Sequence, residues 1–302
     1  GWYRDGKFLL GKYVSGIEMT HKVGNNYTLK LTASNVREAI NKLALLSLFL
    51  HITNRYGIFT FLSDDFIQKY ITILTNIQGI PYFVFYLFIK RVIRSPKQFE
   101  TYKSQLEAYF NGRVQFVFTD THNSRKEFIC SQIDFRLPVL DFGCGELQYF
   151  KKLRGRGFKE KYIAYDKENY SQLVEKIIEQ EKSFNLIWED NLENLKGFKG
   201  QIILSEVIEH NSLEDAKNIL IWLRDNTDFT KLYITTPNSE FNQNYEMTEE
   251  FRHDDHYFEL SRKEFEDLIK SIYSSKISFS GVGDCVDGNF PTSAAIIESI
   301  TE

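Results

Sequence analysis

The fold is decided by the stretch VLDFGCGE at residues 139–146, where an apolar run meets a turn with two glycines. Gly143 and Gly145 let the backbone turn tightly and approach a ligand that side chains would exclude. Asp141 can accept a hydrogen bond from a cationic amino group at that turn. The stretch therefore predicts a strand, a ligand-binding turn and a helix, in that order.

Further apolar runs follow this stretch and are separated by helical segments. Strands spaced by helices indicate parallel β-α-β units and a doubly wound sheet. The predicted strands are residues 139–142, 162–165, 184–188, 201–204, 232–235, 276–281 and 294–299. We therefore predict an α/β fold for residues 137–302, with a mostly parallel sheet of seven strands.

Polar residues at the ends of the next predicted strands extend the predicted ligand site. Asp166 closes the second strand, where an acid is suited to bind two ribose hydroxyls, and Asp190 follows the third, where it can accept from an adenine amino group. This arrangement resembles the class I S-adenosylmethionine methyltransferases more than the nicotinamide dehydrogenases, although Leu147 replaces a third glycine that many of these methyltransferases carry. The predicted cofactor-binding residues are Asp141, Phe142, Gly143, Cys144, Gly145, Asp166, Asp190, Asn191 and Ser205.

Residues 1–136 differ from the rest of the chain in charge. They carry 18 Lys and Arg against 10 Asp and Glu, a net charge of plus eight, whereas the remainder carries 19 against 31, a net charge of minus twelve. This contrast suggests an anionic partner for the first part and a carboxylate-rich site in the second. Ordinary solvated faces on two domains would give the same pattern.

The first part is predicted to be a mainly helical accessory domain that binds RNA. A turn at residues 24–26 precedes a predicted strand at 27–32, and helices are expected at residues 36–54, after Ser63, and at 97–110. The expected buried stripe of the first helix is Ile40, Leu43, Leu46 and Leu50. The residues expected to contact phosphates and stack bases are Arg91, Arg94, Lys97, Lys103, Tyr102 and Tyr109. An RNA clamp, a partner-docking module, a lid and a solvated basic face are the alternatives.

A second motif, SEVIEHN, follows the fourth predicted strand at residues 205–211. If a helix starts near Ser205, then Glu206, Glu209 and His210 lie on one face of it. Two carboxylates and an imidazole so close together favour a divalent cation, because like charges are otherwise costly. Mixed oxygen and nitrogen ligands suit Mn, Fe, Co or Mg. A solvated helix face is the alternative for this motif alone.

Three of the six histidines fall in this motif and in one other. His253 and His256 belong to FRHDDHYFE at residues 251–259. This stretch follows the fifth predicted strand and the residues TPN, 236–238, with which the chain leaves that strand. The exits of neighbouring strands in a doubly wound sheet line the same crevice. A fourth ligand from this loop would therefore complete the predicted metal site.

The motifs EVIEH, TPNSEFN and FRHDDHYFELSRKEF together resemble the catalytic domain of the 3′-terminal ribose 2′-O-methyltransferases of small RNAs, the Hua-enhancer type. The similarity covers residues 137–268, and Leu260 and Ser261 replace a Trp and a Thr that are usual in this family. The resemblance implies that His253 lies beside the site and that Arg252 faces the RNA terminus. The implied metal ligands, which are also catalytic residues together with His253, are Glu206, Glu209, His210 and His256.

The activity implied is metal-dependent methyl transfer from S-adenosylmethionine to the 2′-hydroxyl of the 3′-terminal ribose of a small RNA. A free 2′,3′-diol can chelate one Mn or Mg ion through both oxygens, which lowers the pKa of the 2′-hydroxyl. A 3′-phosphate or a 2′-O-methyl end cannot make the same contact. The general base stays unassigned between His210, His253 and no separate base. A microRNA duplex, a single-stranded small RNA and a cleaved tRNA awaiting repair all stay open as substrates.

Two other functions fit parts of the sequence. A small catechol-like diol would chelate a metal equally well, but the positive charge of the first part argues against such a substrate. The second alternative is a degenerate methyltransferase that serves as an RNA-binding subunit. The presence of Asp141, Asp166 and the cluster at residues 206–210 argues against this alternative.

The cysteines predict the compartment. Cys130, Cys144 and Cys285 are odd in number, far apart and free of CxxC spacing, which argues against disulfides and a thiolate zinc site. We therefore expect a cytoplasmic protein. The longest apolar run, residues 82–89, is too short for a membrane span, so no membrane partner is expected.

Overall fold

The computed structural model describes residues 15–24, 27–52, 62–182, 185–245 and 251–299. The chain forms two compact units, the first ending at Phe118 and the second beginning at Thr119. The sequence places the boundary later, after residue 136. The helix Thr121–Cys130 accounts for the difference, because its last two residues pack into the core of the second unit.

The first unit combines a β-hairpin with helices. Strand β1 (Ile17–His21) pairs antiparallel with strand β2 (Tyr27–Leu31), and two residues of the predicted turn between them, 25 and 26, lie outside the described residues. The elements that follow are α1 (Val36–Ile52), α2 (Asp64–Thr75), α3 (Tyr82–Val92), α4 (Pro96–Ala108) and the short strand β3 (Val114–Gln115). The predicted mainly helical character of this part is confirmed.

Helix α1 buries a different face from the predicted stripe. Leu46 is buried, but Ile40 is 59% exposed and Leu43 46% exposed. The buried residues are Leu45, Leu46, Leu48, Phe49 and Ile52, all in the second half of the helix. Charged residues surround Ile40 in the first half, whereas the second half is almost entirely apolar, so only that half can enter a core.

Two aromatic rings expected to stack bases serve the first unit itself. Tyr102 is buried, and its hydroxyl donates to the carbonyl oxygen of Asp64 at 3.3 Å. The Tyr109 hydroxyl donates to the carbonyl oxygen of Ile77 and accepts from the backbone N–H of Ile80, both at 2.8 Å. Both rings therefore take part in the packing of the first unit itself, Tyr102 buried and Tyr109 half-buried, and their contact with bases stays a prediction.

The second unit is built on a seven-stranded sheet with the order β6-β5-β4-β7-β8-β11-β9. Its strands are β4 (Val139–Phe142), β5 (Tyr162–Tyr165), β6 (Leu186–Glu189), β7 (Phe198–Ser205), β8 (Thr227–Pro237), β9 (Lys276–Val282) and β11 (Thr292–Glu298), and the short β10 (Cys285–Val286) lies outside it. Neighbours from β6 to β8 are parallel, and β11 runs antiparallel to both β8 and β9. The predicted fold class is confirmed.

Helices cover both faces of this sheet. They are α5 (Thr121–Cys130), α6 (Gln148–Gly155), α7 (Ser171–Glu181), α8 (Leu213–Asn226) and α9 (Arg262–Ile272). Alternate strand residues enter different cores: Val139 packs in one cluster with Phe150 of α6, and Leu140 packs in the other with Leu220 of α8 and Phe265 of α9. Strands buried on both faces read as continuous apolar runs, which explains why the sequence reveals them.

The strand order positions the site. The chain passes from β4 outward to β5 and β6 and then returns to β7 on the other side of β4. Ligands of doubly wound sheets bind at the carboxyl ends of the strands where the order reverses. The two predicted motifs follow β4 and β7, so they meet at this point. No helix of the described ranges combines the length and the apolar character that crossing a bilayer requires.

Candidate functional site

The first wall of the site is the turn after strand β4. Gly143 and Gly145 have φ values of +86° and +46°, in the left-handed region that favours glycine. A Cβ atom at residue 143 would lie 2.3 Å from Cγ2 of Val207, in the segment that follows β7. A side chain at residue 143 would therefore push the two motifs apart.

Leu147 also has a left-handed backbone, with φ of +59°. This is the position at which many class I methyltransferases carry a third glycine. The Leu147 side chain is fully buried in the sheet core, next to the start of helix α6. Apolar burial offsets the backbone strain that a non-glycine residue bears here. The turn thus keeps the glycine-type conformation without the glycine.

Asp166, at the end of strand β5, closes the turn from the neighbouring strand. Its Oδ2 accepts from the backbone N–H of Gly145 at 2.9 Å, and its Oδ1 accepts from the backbone N–H of Glu168 at 3.0 Å. Each carboxylate oxygen retains a second lone pair. Asp166 therefore remains able to accept hydrogen bonds from a ligand in the crevice.

A pocket of about 670 Å³ opens beside this turn. Its lining includes Gly143, Gly145 and Asp166 on one side, and His210 and His256 on the other. The size suits a nucleoside-sized ligand together with part of a second molecule. The pocket thus joins the predicted cofactor residues to the predicted metal residues.

Asp141 lies behind the turn rather than in the pocket wall. It is buried, and the Tyr162 hydroxyl donates to its Oδ2 at 2.5 Å. Burial raises the pKa of Asp141 to about 7, while the Tyr162 hydrogen bond partly opposes that shift. The structure therefore shows Asp141 bonded to the neighbouring strand β5, and its predicted bond to a cationic amino group stays a prediction.

Other predicted cofactor residues lie near the pocket with protein partners of their own. Cys144 is buried in the sheet core, and the Ser205 hydroxyl bonds to two neighbouring hydroxyls at 2.7 Å. Asn191 caps the short turn that follows strand β6, and Asp190 is exposed. Phe142 does line the pocket. Contact of any of these five residues with a cofactor stays a prediction.

Three of the four predicted metal ligands converge. Glu209, His210 and His256 each offer a ligand atom, and these atoms lie within 4.8 Å of one another. Glu209 and His256 are buried and His210 is half-buried. The His210 and His256 ring centroids are 4.8 Å apart. We call these three residues the metal-binding group, because one carboxylate and two imidazoles can hold a divalent cation.

Glu209 provides the strongest evidence that these residues suit a metal ion. Thr236 donates to its Oε2 at 3.1 Å, whereas its Oε1 is buried with no hydrogen-bond partner among the described residues. Burial, and next the nearby Glu206 carboxylate, raises the pKa of Glu209 well above its usual value. An unpartnered buried carboxylate oxygen is costly unless a cation or a proton satisfies it. The residues present therefore fit a divalent metal.

Both imidazoles are oriented by carboxylates. The Nδ1 atom of His256 lies 2.7 Å from Oε1 of Glu259, and that of His210 lies 3.2 Å from Oδ2 of Asp255. Burial alone would raise the pKa of Glu259, but hydrogen bonds from Asn242, the Arg252 backbone and His256 outweigh it and lower the pKa. An ionised carboxylate only accepts, so Nδ1 carries the proton and Nε2 presents its lone pair to a metal.

Glu206 does not join this group in the structure. Its Oε2 pairs with Nη1 of Arg125 at 2.9 Å, and Thr235 donates to its Oε1 at 3.1 Å. The expected helix from Ser205 is wrong: Glu206 has φ of +56°, only a single 3₁₀ turn (Ile208–His210) forms, and α8 begins later. The left-handed residue interrupts the i, i+3, i+4 face, so Glu206 lines the same pocket as His210 and His256 but pairs with Arg125, and its role as a metal ligand stays a prediction.

The remaining predicted residues lie beside the metal-binding group. His253 is exposed, with its ring centroid 5.1 Å from that of His256. Arg252 donates to Oδ1 of Asn242 and to the carbonyl oxygens of Asn238 and Pro291, at 2.5 to 2.6 Å. These bonds tie the 251–259 loop to the exit of strand β8. Contact of Arg252 with an RNA terminus stays a prediction, and each of its three side-chain nitrogens already makes one hydrogen bond within the protein.

The sequence alone did not identify three residues that act on this site. Arg125 comes from helix α5, which no motif marks. Glu259 follows His256 by three residues, and this spacing is the signal that could have indicated a carboxylate orienting a histidine. Asp255 is adjacent in sequence, but its pairing with His210 depends on the fold.

Comparison with known proteins assigns the chain to a family. It is 38% identical to a chain of a solved structure described as the Pnkp1/Rnl/Hen1 RNA repair complex, with a TM-score of 0.85 over 99% of this chain and 70% of that chain. A family model described as the Hen1 N-terminal domain matches residues 4–111. The chain belongs to the Hen1 family. The Hen1 match also assigns the first part of the chain, for which the sequence offered no motif.

Two further similarities extend the Hen1 assignment. A small RNA 2′-O-methyltransferase of Xenopus tropicalis is 25% identical over 190 residues, which are 57% of this chain and 52% of that relative. The Hen1-family chain thus spans about half the length of this relative. The crystal structure of small RNA methyltransferase HEN1 shares the fold, with 21% identity and a TM-score of 0.53 over 60% of this chain and 26% of that chain. The predicted resemblance to the Hua-enhancer type is confirmed.

Proposed function

We propose that this Hen1-family protein transfers a methyl group from S-adenosylmethionine to the 2′-hydroxyl of the 3′-terminal ribose of a small RNA, with a bound Mn or Mg ion. One observation carries the proposal: a single pocket is lined by the Gly143–Gly145 turn, by Asp166 and by His210 and His256. A methyl donor at the turn would lie beside an acceptor at the metal-binding group. The relative named a small RNA 2′-O-methyltransferase supports the same reaction.

The cofactor side of the pocket would hold S-adenosylmethionine through backbone and carboxylate groups. Gly145 leaves open space for the donor, and Asp166 would accept hydrogen bonds from its ribose hydroxyls. The bond between Tyr162 and Asp141 joins strand β5 to strand β4, which leads into the turn. The sulfonium of the cofactor supplies the methyl group.

On the acceptor side, Glu209 Oε1 and the Nε2 atoms of His210 and His256 would hold the metal. A divalent cation there supplies Lewis acidity, which lowers the pKa of the 2′-hydroxyl of a chelating ribose diol. Asp255 and Glu259 keep the imidazoles in the tautomer that a metal requires. His210 would have no free lone pair to act as a base while it holds the metal, so His253 and no separate base are the alternatives that remain. A reducing cytoplasmic compartment stays a prediction from the cysteines.

The direct test is transfer of a labelled methyl group to an RNA oligonucleotide with a free 3′-terminal diol in the presence of Mn. We expect a 2′-O-methylated nucleoside at the 3′ end after nuclease digestion. Addition of a catechol as competitor separates an RNA enzyme from a small-diol enzyme. Cofactor binding without transfer to any RNA would contradict the proposal and favour a degenerate subunit.

The Glu259→Gln variant is expected to bind Mn about 10- to 100-fold more weakly than wild type. Its amide can donate to Nδ1 of His256 and so favours the tautomer with the proton on Nε2, which cannot bind a metal. Electron paramagnetic resonance titration with Mn measures this directly. The matched control is Glu266→Gln on the outer face of α9, where wild-type affinity is expected. Equal affinities for both variants would disprove the role of Glu259.

The Arg125→Met variant is expected to bind Mn more tightly, by up to about tenfold, because a cationic neighbour is removed and the Glu206 carboxylate is released toward the ion. The same titration measures the change, with Arg136→Met, an exposed arginine, as the charge-matched control. Weaker binding by Arg125→Met would contradict this expectation.

We also propose that the protein acts in RNA repair together with partner enzymes, because its relative is part of a Pnkp1/Rnl/Hen1 RNA repair complex. In this proposal the first unit, which the Hen1 N-terminal domain model matches, provides the docking or RNA-binding surface. Co-purification of a partner with residues 1–118 deleted or present tests the proposal. Undiminished co-purification after deletion would assign docking to the second unit instead.

A further inference from the structure

Tyr257 presents an aromatic ring to solvent at the edge of the pocket. It is 69% exposed and is one of the lining residues of the pocket. Its side chain makes no hydrogen bond or ring contact with any other residue in the described ranges. An exposed ring at a ligand pocket, beside the metal-binding His256, is available for a ligand rather than for the core.

The position of Tyr257 is nevertheless fixed by the site. Its backbone N–H donates to the carbonyl oxygen of Glu209 at 2.9 Å, and the preceding residue, His256, donates from its backbone to the carbonyl oxygen of His253 at 3.2 Å. Tyr257 is therefore bonded to one metal-binding residue and adjacent in sequence to another. The ring is held beside the metal-binding group rather than on a free loop tip.

The charges near the ring select the kind of group it can bind. The carboxylates that line the pocket outnumber its lysine, Lys167, even with Glu206 paired to Arg125; the others are Asp166, Glu168, Asp254 and Asp255. This excess of negative charge disfavours a phosphate there. A neutral, flat group with a π-face is not repelled in this way and would stack on the phenol ring. In a terminal nucleotide the base is attached to C1′, next to the C2′ that carries the acceptor oxygen. The base of a ribose held through its diol would therefore lie close to the metal-binding group, as Tyr257 does.

We propose that Tyr257 is the stacking platform for the terminal nucleobase of the RNA. This inference rests on the proposed function and adds a base subsite to it. The terminal nucleotide is held by its diol at the metal-binding group and by its base on Tyr257, with little contribution from its phosphate. Because every base has a π-face, the subsite tolerates all four bases.

A double-mutant cycle tests the platform. Two RNAs are compared that differ only in the terminal residue: a normal nucleoside, and a ribose with hydrogen in place of the base and both hydroxyls kept. For the normal RNA we expect Tyr257→Ala to lower kcat/KM by about 5- to 100-fold and Tyr257→Phe to change it little. For the baseless RNA, wild type and Tyr257→Ala are expected to be equal. An equal loss on both RNAs would overturn the proposal.

A binding measurement separates this inference from the proposed function. RNA that ends in fluorescent 2-aminopurine is titrated with protein, and stacking is read as quenching. We expect quenching with wild type and Tyr257→Phe and its loss with Tyr257→Leu, which retains apolar area without a ring. Quenching without methyl transfer would contradict the proposed function alone. Equal quenching by wild type and Tyr257→Leu would overturn the platform alone.

Discussion

The His210→Ala variant is expected to lose methyl transfer by more than about 100-fold and to lose tight binding of Mn. Loss of a residue that only orients a ligand typically costs about 10- to 100-fold in metal affinity, so loss of a direct ligand is expected to cost more. Without the imidazole, Glu209 and His256 are the remaining members of the metal-binding group. Methyl transfer and Mn titration are measured on the same preparation.

Binding of S-adenosylmethionine provides the internal control for this variant. The turn at Gly143–Gly145 and Asp166 do not depend on the His210 side chain, so cofactor affinity and the metal-free unfolding temperature are expected to match wild type. A matching His253→Ala variant should retain most of its Mn affinity, because His253 lies outside the metal-binding group. Wild-type Mn affinity in His210→Ala would disprove the metal site described here.

Methyl transfer is expected to require both hydroxyls of the terminal ribose. An RNA ending in a 3′-deoxy residue keeps the acceptor oxygen but loses half of the chelate, and we expect transfer to fall on the order of 100-fold. A 3′-phosphate is expected to be inactive as well, since the carboxylates of Glu206, Asp254 and Asp255 line the pocket. Labelled methyl transfer to matched oligonucleotides measures these ratios.

Two controls make the end-group experiment decisive. A 2′-deoxy end lacks the acceptor oxygen and sets the background, and a chelator should reduce transfer to the diol end to that background. Added Mn should then restore it. Equal labelling of the diol and 3′-deoxy ends would show that chelation by the diol does not contribute, and activity that survives the chelator would remove the metal from the mechanism.

The sheet could be predicted nearly strand by strand because parallel strands buried on both faces appear as uninterrupted apolar runs. The buried face of helix α1 could not be predicted from the sequence. Periodicity shows that a helix is amphipathic, but not which of its turns meets a partner, and Ile40 and Leu43 proved exposed. The boundary between the two parts was predicted after residue 136 rather than after 118 for a similar reason, since only packing shows that helix α5 belongs to the second unit.

In the candidate site, too, some features could be predicted from the sequence and others could not. Residue types and strand exits were enough to bring Glu209, His210 and His256 to one crevice. The backbone at residue 206 was not predictable, because its left-handed conformation depends on how the segment after β7 packs against Gly143. The predicted helix does not form at this residue, so Glu206 does not lie on one helix face with Glu209 and His210.

The amino-acid sequence by itself determined the doubly wound sheet, the glycine turn after β4 and the crevice that two motifs share, because apolar runs, glycine spacing and strand order act locally or through simple topology. Only the tertiary structure decided that Arg125 pairs with Glu206, that Asp255 orients His210 and that Tyr257 faces the pocket. These arrangements join or expose side chains through packing of separate elements, and no local pattern encodes the distances between such elements.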